Sequence, residues 1–139
     1  MNATKQKILT TSLQLFNNNG VSNVSLRIIA DKIGISVGNL QYHFKKREDI
    51  IEALYFEIVA KIDAIIIVET TNLLASFFSI SARIFEILYA YRFFLLDFVT
   101  ITRNNKKIKK HYATISIQRQ QEFLNIVALL VENGILKKA

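Results

Sequence analysis

No proline occurs anywhere in the chain, and four glycines are all that punctuate its 139 residues. Proline stops a helix from within, and glycine is the residue on which a helix most readily ends. With both so scarce, long stretches are free to stay helical. Apolar residues recur at spacings of three and four, not two, so the chain reads as all-α, and its few glycines and asparagine tracts mark where helices stop.

Those marks divide the chain. A first helix is expected from about Thr4 to Asn18, with Ile8, Leu9, Leu13, Leu15 and Phe16 on one side, ending in the Asn17-Asn18-Asn19-Gly20 tract. Ser25 offers an N-cap for a short helix in which Leu26, Ile29, Ala30 and Ile33 share a face, and Gly34 ends it. Ser36 caps a second short helix through Tyr42, with Leu40 facing inward and Val37, Gly38, Asn39 and Gln41 left outward. Two short helices joined by a tight glycine turn make the helix-turn-helix layout. A long helix from about Lys46 to Val68, striped by Ile50, Leu54, Ile58, Ile62 and Ile65 and ending near Thr70-Thr71-Asn72, joins this head (1–48) to a body (49–139). In the body the pattern is helical from Leu73 to about Arg103, with a weak interruption at Ala90-Tyr91, and a last helix runs from Lys106 to Asn133 before Gly134.

Within the head, the stretch from Gly20 to Ile50, and above all Tyr42-His43-Phe44-Lys45-Lys46, resembles the N-terminal signature of TetR-family regulators without a gap. The resemblance covers roughly residues 5–55. It implies a three-helix head that grips operator DNA, a helical body serving as effector and dimerisation domain, and a homodimer on a palindromic operator, in most relatives as a repressor. Physically, a short helix is the piece that fits a major groove about 12 Å wide, so its outward residues are the base readers. Val37, Gly38, Asn39 and Gln41 are those residues, and the resemblance adds Arg27. Gln41 can pair with adenine, Val37 can meet a thymine methyl, and Gly38 lets the backbone approach closely. Many relatives carry an aromatic residue where Gln41 stands, so no operator sequence is transferred. Hydroxyl, ring N–H and cationic donors on Ser25, Ser36, Tyr42, His43, Lys46 and Arg47 are the expected phosphate contacts, which position without specifying. Taken singly, Tyr42 and Phe44 read as packing, His43 as a surface histidine and Lys45-Lys46-Arg47 as a solvated run; the functional reading rests on the whole ordered set.

Charge agrees with a polyanionic partner. The formal net charge is +7, with seven Lys/Arg against three Asp/Glu in residues 1–50, three against six in 51–100 and eight against two in 101–139. The basic run Lys106-Lys107-Ile108-Lys109-Lys110-His111 is weighed as a second anion contact but reads better as a solvated helix start. With two histidines, no cysteine and no phosphate-binding glycine loop, the chain offers no machinery for catalysis, no metal cluster and no cofactor motif. With a polar N-terminus and a charge-free apolar stretch, Thr70–Ala82, too short to span a bilayer, a soluble, cytoplasmic protein off the membrane is the expectation.

Fifty-one per cent hydrophobic residues is more than so small a chain hides in one core, which calls for a subunit interface, a ligand cavity, or both. Aromatic residues crowd the body, and Phe78, Phe85, Tyr89, Arg92 and Phe93 are the candidate lining of a pocket for a small-molecule effector, with ordinary core packing as the competing reading. Family members commonly continue for several tens of residues past the equivalent of Ala139, so the body is read as an incomplete one or as a short form that pairs through the helices it retains. The alternatives carried beside a ligand-responsive repressor are a helical protein-interaction module and a truncated regulator that no longer represses by itself.

Overall fold

A computed structural model describes residues 2–66 and 72–137. Among them the secondary structure is helical throughout: α1 (Ala3–Asn19), a single 3-10 turn (Val21–Asn23), α2 (Leu26–Ile33), α3 (Val37–His43), α4 (Arg47–Ile66), α5 (Leu73–Ala90), α6 (Arg92–Leu96), α7 (Phe98–Asn104) and α8 (Lys106–Glu132). The expected end of the fourth helix, at Val68 and Thr70-Thr71, lies outside the described residues. The expected stretch from Leu73 to Arg103 is three helices, not two, because the chain breaks at Asp97 as well as at Tyr91.

Local chemistry explains the boundaries. Asn2, Ser25, Ser36, Asn72 and Asn105 each accept a hydrogen bond from the second or third backbone N–H of the helix they precede. At the start of α4, Asp49 reaches back to the Lys46 N–H at 3.1 Å, and Glu48 and Asp49 set negative charge against the positive end of the helix dipole. Gly34 ends α2 at φ 82°, ψ 37°, a left-handed conformation that costs other L-residues strain, and its N–H and that of Ile35 both donate to the Ala30 carbonyl.

One core runs through head and body. Ile8, Leu9, Phe16, Ile29, Leu40 and Phe44 meet the α4 stripe of Ile50, Leu54 and Ile58, and the same cluster continues into Phe93, Phe94, Ile101 and Ile108. Phe16 of α1 lies 5.4 Å, centroid to centroid, from Phe93 of α6. Polar contacts fasten the same junction. The Asn17 amide donates to the Ala90 carbonyl and its oxygen accepts from the Phe93 N–H, while Asp97 accepts from the Val21 N–H at 2.9 Å. Asp97 thus fastens the body to the head.

At the start of α8 the basic run divides. Lys107 pairs with Glu52 at 2.5 Å, and the His111 ring nitrogen meets the Tyr55 hydroxyl at 2.8 Å, whereas Lys106, Lys109 and Lys110 are exposed. The Lys107 hydrogen bond, helped by Asn105, holds the Glu52 carboxyl below its ordinary value of 4.5 in spite of partial burial. A lowered carboxylate pKa stabilises the fold above the unfolded value, and that contribution is lost as pH falls through the folded one. Glu52→Gln is therefore expected to lower stability at neutral pH by no more than about 1 kcal/mol, since Lys107 is largely solvated. In urea titrations the difference from the parent should shrink in acid; a difference that persists there points to packing instead.

The body leaves much apolar surface uncovered. Phe78, Phe85 and Tyr89 on α5 are 64, 71 and 71% exposed, and Ile117, Phe123 and Leu124 on α8 are exposed too. By length and composition α5 is apolar enough to cross a membrane, which the sequence reading missed by stopping at Arg83. That helix nonetheless carries Arg83 and Glu86, and its inner face is turned to a cavity.

Candidate DNA-reading surface and effector cavity

The head presents α3 outward on a rigid mount. Leu40 is fully buried and Phe44 nearly so, anchoring the inner side of the helix and the residue that follows it. Gly38, Asn39 and Gln41 are exposed, Val37 is half-buried and Tyr42 is 85% exposed. An exposed tyrosine at the end of a helix buried on its other side is well placed to reach a phosphate. A Cβ added at Gly38 meets nothing within 4 Å, so packing within the chain does not require glycine there.

Around this helix lie the other expected contacts. Ser25, Arg27, Ser36 and Lys46 are exposed, and His43 is half-buried with its ring edge-on to Tyr42 at 5.2 Å. The two serine hydroxyls accept from the Ile28 and Asn39 N–H groups, which leaves each its own proton to donate. Arg47 is differently placed. Its guanidinium turns into the head, donating to the Val21 carbonyl at 2.9 Å and the Val24 carbonyl at 3.3 Å. The geometry suits it to bracing the loop before α2.

In the body, α4, α5, α6 and α8 surround a half-open cavity of about 590 Å³, within the size range of small-molecule sites. None of Phe78, Phe85, Tyr89, Arg92 and Phe93, the five residues nominated from sequence, lines it. The reason is helical phase. Phe77, Ile80, Ser81, Ile84 and Leu88 fall at i, i+3, i+4, i+7 and i+11 on the inner face of α5, and the three nominated residues of that helix each stand one position, or about 100°, further round. Phe93 is fully buried toward Phe16, leaving the neighbouring Phe94 and Leu95 to face the cavity, and Arg92 donates to Tyr89 and Asn18. Choosing residues for aromaticity selected the outer side of α5, which is as apolar as the side that lines the cavity.

Two tyrosines mark the cavity's junction with the core. Tyr55 lines it, and burial, with the nearby Tyr112, pushes its phenol up to about 12. Tyr91, just behind, donates to Glu57 at 3.0 Å, and burial together with that carboxylate raises its phenol as well. Both hydroxyls are thus held protonated as fixed hydrogen-bonding groups.

A head with a capped helix, a glycine turn and a bare second helix, mounted by a long helix on a cavity-bearing helical body, defines the class of helix-turn-helix regulators. Comparison with known proteins names the family. Residues 8–54 match the model of bacterial regulatory proteins of the tetR family, and residues 60–139 match a TetR model described as bacterial transcriptional repressor. The chain belongs to the TetR family of transcriptional regulators. Over 52 residues it is 38% identical to the HTH-type transcriptional regulator AcrR of Shigella flexneri, a match covering 37% of this chain and 24% of that protein. Over 57 residues it is 30% identical to the class D tetracycline repressor protein of Escherichia coli, covering 41% of this chain and 26% of the relative. The matched part thus spans about a quarter of these curated relatives. Among solved structures, a TetR-family regulator from Marinobacter aquaeolei VT8 superposes with a TM-score of 0.92 at 28% identity, covering all of this chain and 69% of that one. The ketosteroid transcriptional regulator KstR2 of Mycobacterium tuberculosis shares the fold, with a TM-score of 0.76 at 18% identity over 96% of this chain and 71% of its own.

Proposed function

We propose that the protein is a ligand-responsive repressor which binds a palindromic operator as a homodimer, in the cytoplasm and without catalytic activity. The observation that carries this reading is the exposed row Gly38, Asn39, Gln41 and Tyr42 on a helix whose other side is locked by Leu40. Val37, Gly38, Asn39, Gln41 and Arg27 read base edges; Ser25, Ser36, Tyr42, His43 and Lys46 hold phosphates. Arg47 supports the loop carrying Ser25 and does not itself clamp DNA. Residues 1–48 act as the reading head and 49–139 as the effector and dimerisation body. The uncovered apolar faces of α5 and α8 favour a second subunit, and two heads on half-sites ~34–36 Å apart supply the specificity that one short helix lacks.

Effector coupling follows from α6. Phe94 and Leu95 face the cavity, while Phe93 is packed against α1 and Asn17 holds its N–H. A molecule entering the cavity pushes on a helix that is fastened directly to the head, which shifts the spacing of paired heads and releases DNA.

The test is selection of bound duplexes from a genomic pool at two salt concentrations, followed by variants. Tyr42→Ala and Lys46→Ala are expected to weaken binding to every duplex, by about 1 kcal/mol or more each, and Gln41→Ala to change which sequence is preferred, by about 1–3 kcal/mol at one base pair. An enriched palindrome with those two behaviours supports the reading. Salt-sensitive binding with no enriched sequence returns the chain to the alternative of a helical interaction module or a regulator that does not repress by itself.

A further inference from the structure

The effector cavity carries an unbalanced polar end, and the geometry points to a lipophilic amine, an apolar body with one protonated nitrogen, as the class of molecule it takes. This rests on the reading of the cavity as an effector site and adds its chemistry. Across most of its wall the cavity is apolar, formed by Ile58, Ile84, Leu88 and Phe94 among others. Its wall also includes Arg119 and Glu122, one helical turn apart on α8. From Tyr112 to Ile126 the lining follows α8 for about 21 Å at 1.5 Å per residue, so the site suits an elongated molecule.

The two charged residues are satisfied unequally. Arg119 Nη2 meets Asp63 Oδ1 of α4 at 2.5 Å, which answers its charge. Among the described residues, Glu122 Oε1 accepts from the neutral Gln118 amide at 2.9 Å, while its Oε2 is shielded from solvent and has no hydrogen-bond partner. Among the described residues no lysine lines this cavity and no ion pair balances Glu122. A shielded carboxylate oxygen without a donor is costly, and a ligand that supplies a cationic donor recovers that cost. Charge decides between ligand types. With Asp63, Arg119 and Glu122, an ammonium brings the local sum to zero, whereas a carboxylate brings it to −2. Arg119 Nη1, also shielded and unpartnered, would welcome an acceptor, but an anion placed there faces two carboxylates for one guanidinium. Aromatic faces at Phe77, Phe123 and Tyr112 add attraction for a cation and none for an anion.

The experiment uses the full chain without DNA and three probes of equal length, decylamine, decanol and decanoate, titrated calorimetrically below the concentrations at which they aggregate. Decylamine is expected to bind about tenfold or more tighter than decanoate, the scale of one hydrogen bond to a charged group. Glu122→Gln should abolish the preference of amine over alcohol, and Ile84→Trp, which puts a bulky ring into the apolar part of the cavity, should weaken all three. Circular dichroism establishes that both variants are folded, and the ranking of the three probes on the parent chain stands without them. Decanoate binding as tightly as decylamine, an amine preference that survives Glu122→Gln, amine binding undiminished in Ile84→Trp, or no binding of decylamine each overturn the proposal. A chain that binds decylamine in the cavity yet keeps its operator supports the ligand class and sinks the release mechanism alone.

Discussion

Phe93→Ala is expected to destabilise the whole chain by about 3–5 kcal/mol, whereas Phe85→Ala, eight residues earlier, should change stability by less than about 0.5 kcal/mol. Both are phenylalanines in the same aromatic-rich stretch, so composition treats them alike. Phe93 is fully buried against Phe16 at the joint of head and body, so its truncation opens a cavity in the core. Phe85 is 71% exposed on the outer face of α5. Urea unfolding followed by circular dichroism separates the two. Because the core is continuous, head and body should lose structure together in Phe93→Ala; a body that melts first while the head stays folded would show that the joint does not couple them. If Phe85→Ala costs as much as Phe93→Ala, a second subunit already covers α5 under the conditions used.

Gly38→Ala should separate folding from DNA binding in the opposite way. In a helix, alanine is favoured over glycine by about 0.5–1 kcal/mol, and the added methyl meets nothing within 4 Å, so the variant is expected to be as stable as the parent or more so. Yet the methyl stands on the face proposed to lie against the groove. Affinity for the selected duplex should fall about tenfold, or 1.4 kcal/mol, with no loss of helix content. Fluorescence anisotropy on that duplex and thermal melting give the two readouts. Undiminished affinity would mean that the Gly38 side of α3 does not approach DNA closely, and the base-reading set would then have to be drawn from Arg27 and the residues beyond it.

Local signals proved legible wherever the neighbours in sequence are also the neighbours in space. Ser25 and Ser36 cap α2 and α3, Gly34 turns between them in the left-handed conformation, and Leu40 is the inward residue of the reading helix, all as the residue types and spacings indicate. A helix cap is a bond between residues three apart, and a turn is a dihedral preference of one residue, so neither needs the rest of the molecule. The amphipathic stripe of α4 was legible for the same reason, through Ile50, Leu54, Ile58 and Ile65.

Less was legible in the body, where α5 is apolar on nearly every side. A helix of that kind has no stripe strong enough to say which face turns inward, and both Phe77 and Phe78 satisfy hydrophobicity. Arg47 shows the same limit in the head. Its place beside Lys45 and Lys46 suggests a phosphate clamp, but the carbonyls of Val21 and Val24, more than twenty positions away, hold its guanidinium.

By itself, then, the sequence determined the all-α class, the helix ends within the head and the outward row on α3, because short-range hydrogen bonds, backbone preferences and the 3.6-residue period are written in consecutive residues. Only the tertiary structure decided that Asn17 and Asp97 fasten the body to the head, that Phe93 and Phe94 face opposite ways, and that Tyr55, Ile84, Arg119 and Glu122 enclose one cavity. Those are relations between residues tens of positions apart, fixed by how helices pack against one another, and no local pattern encodes the angle at which they meet.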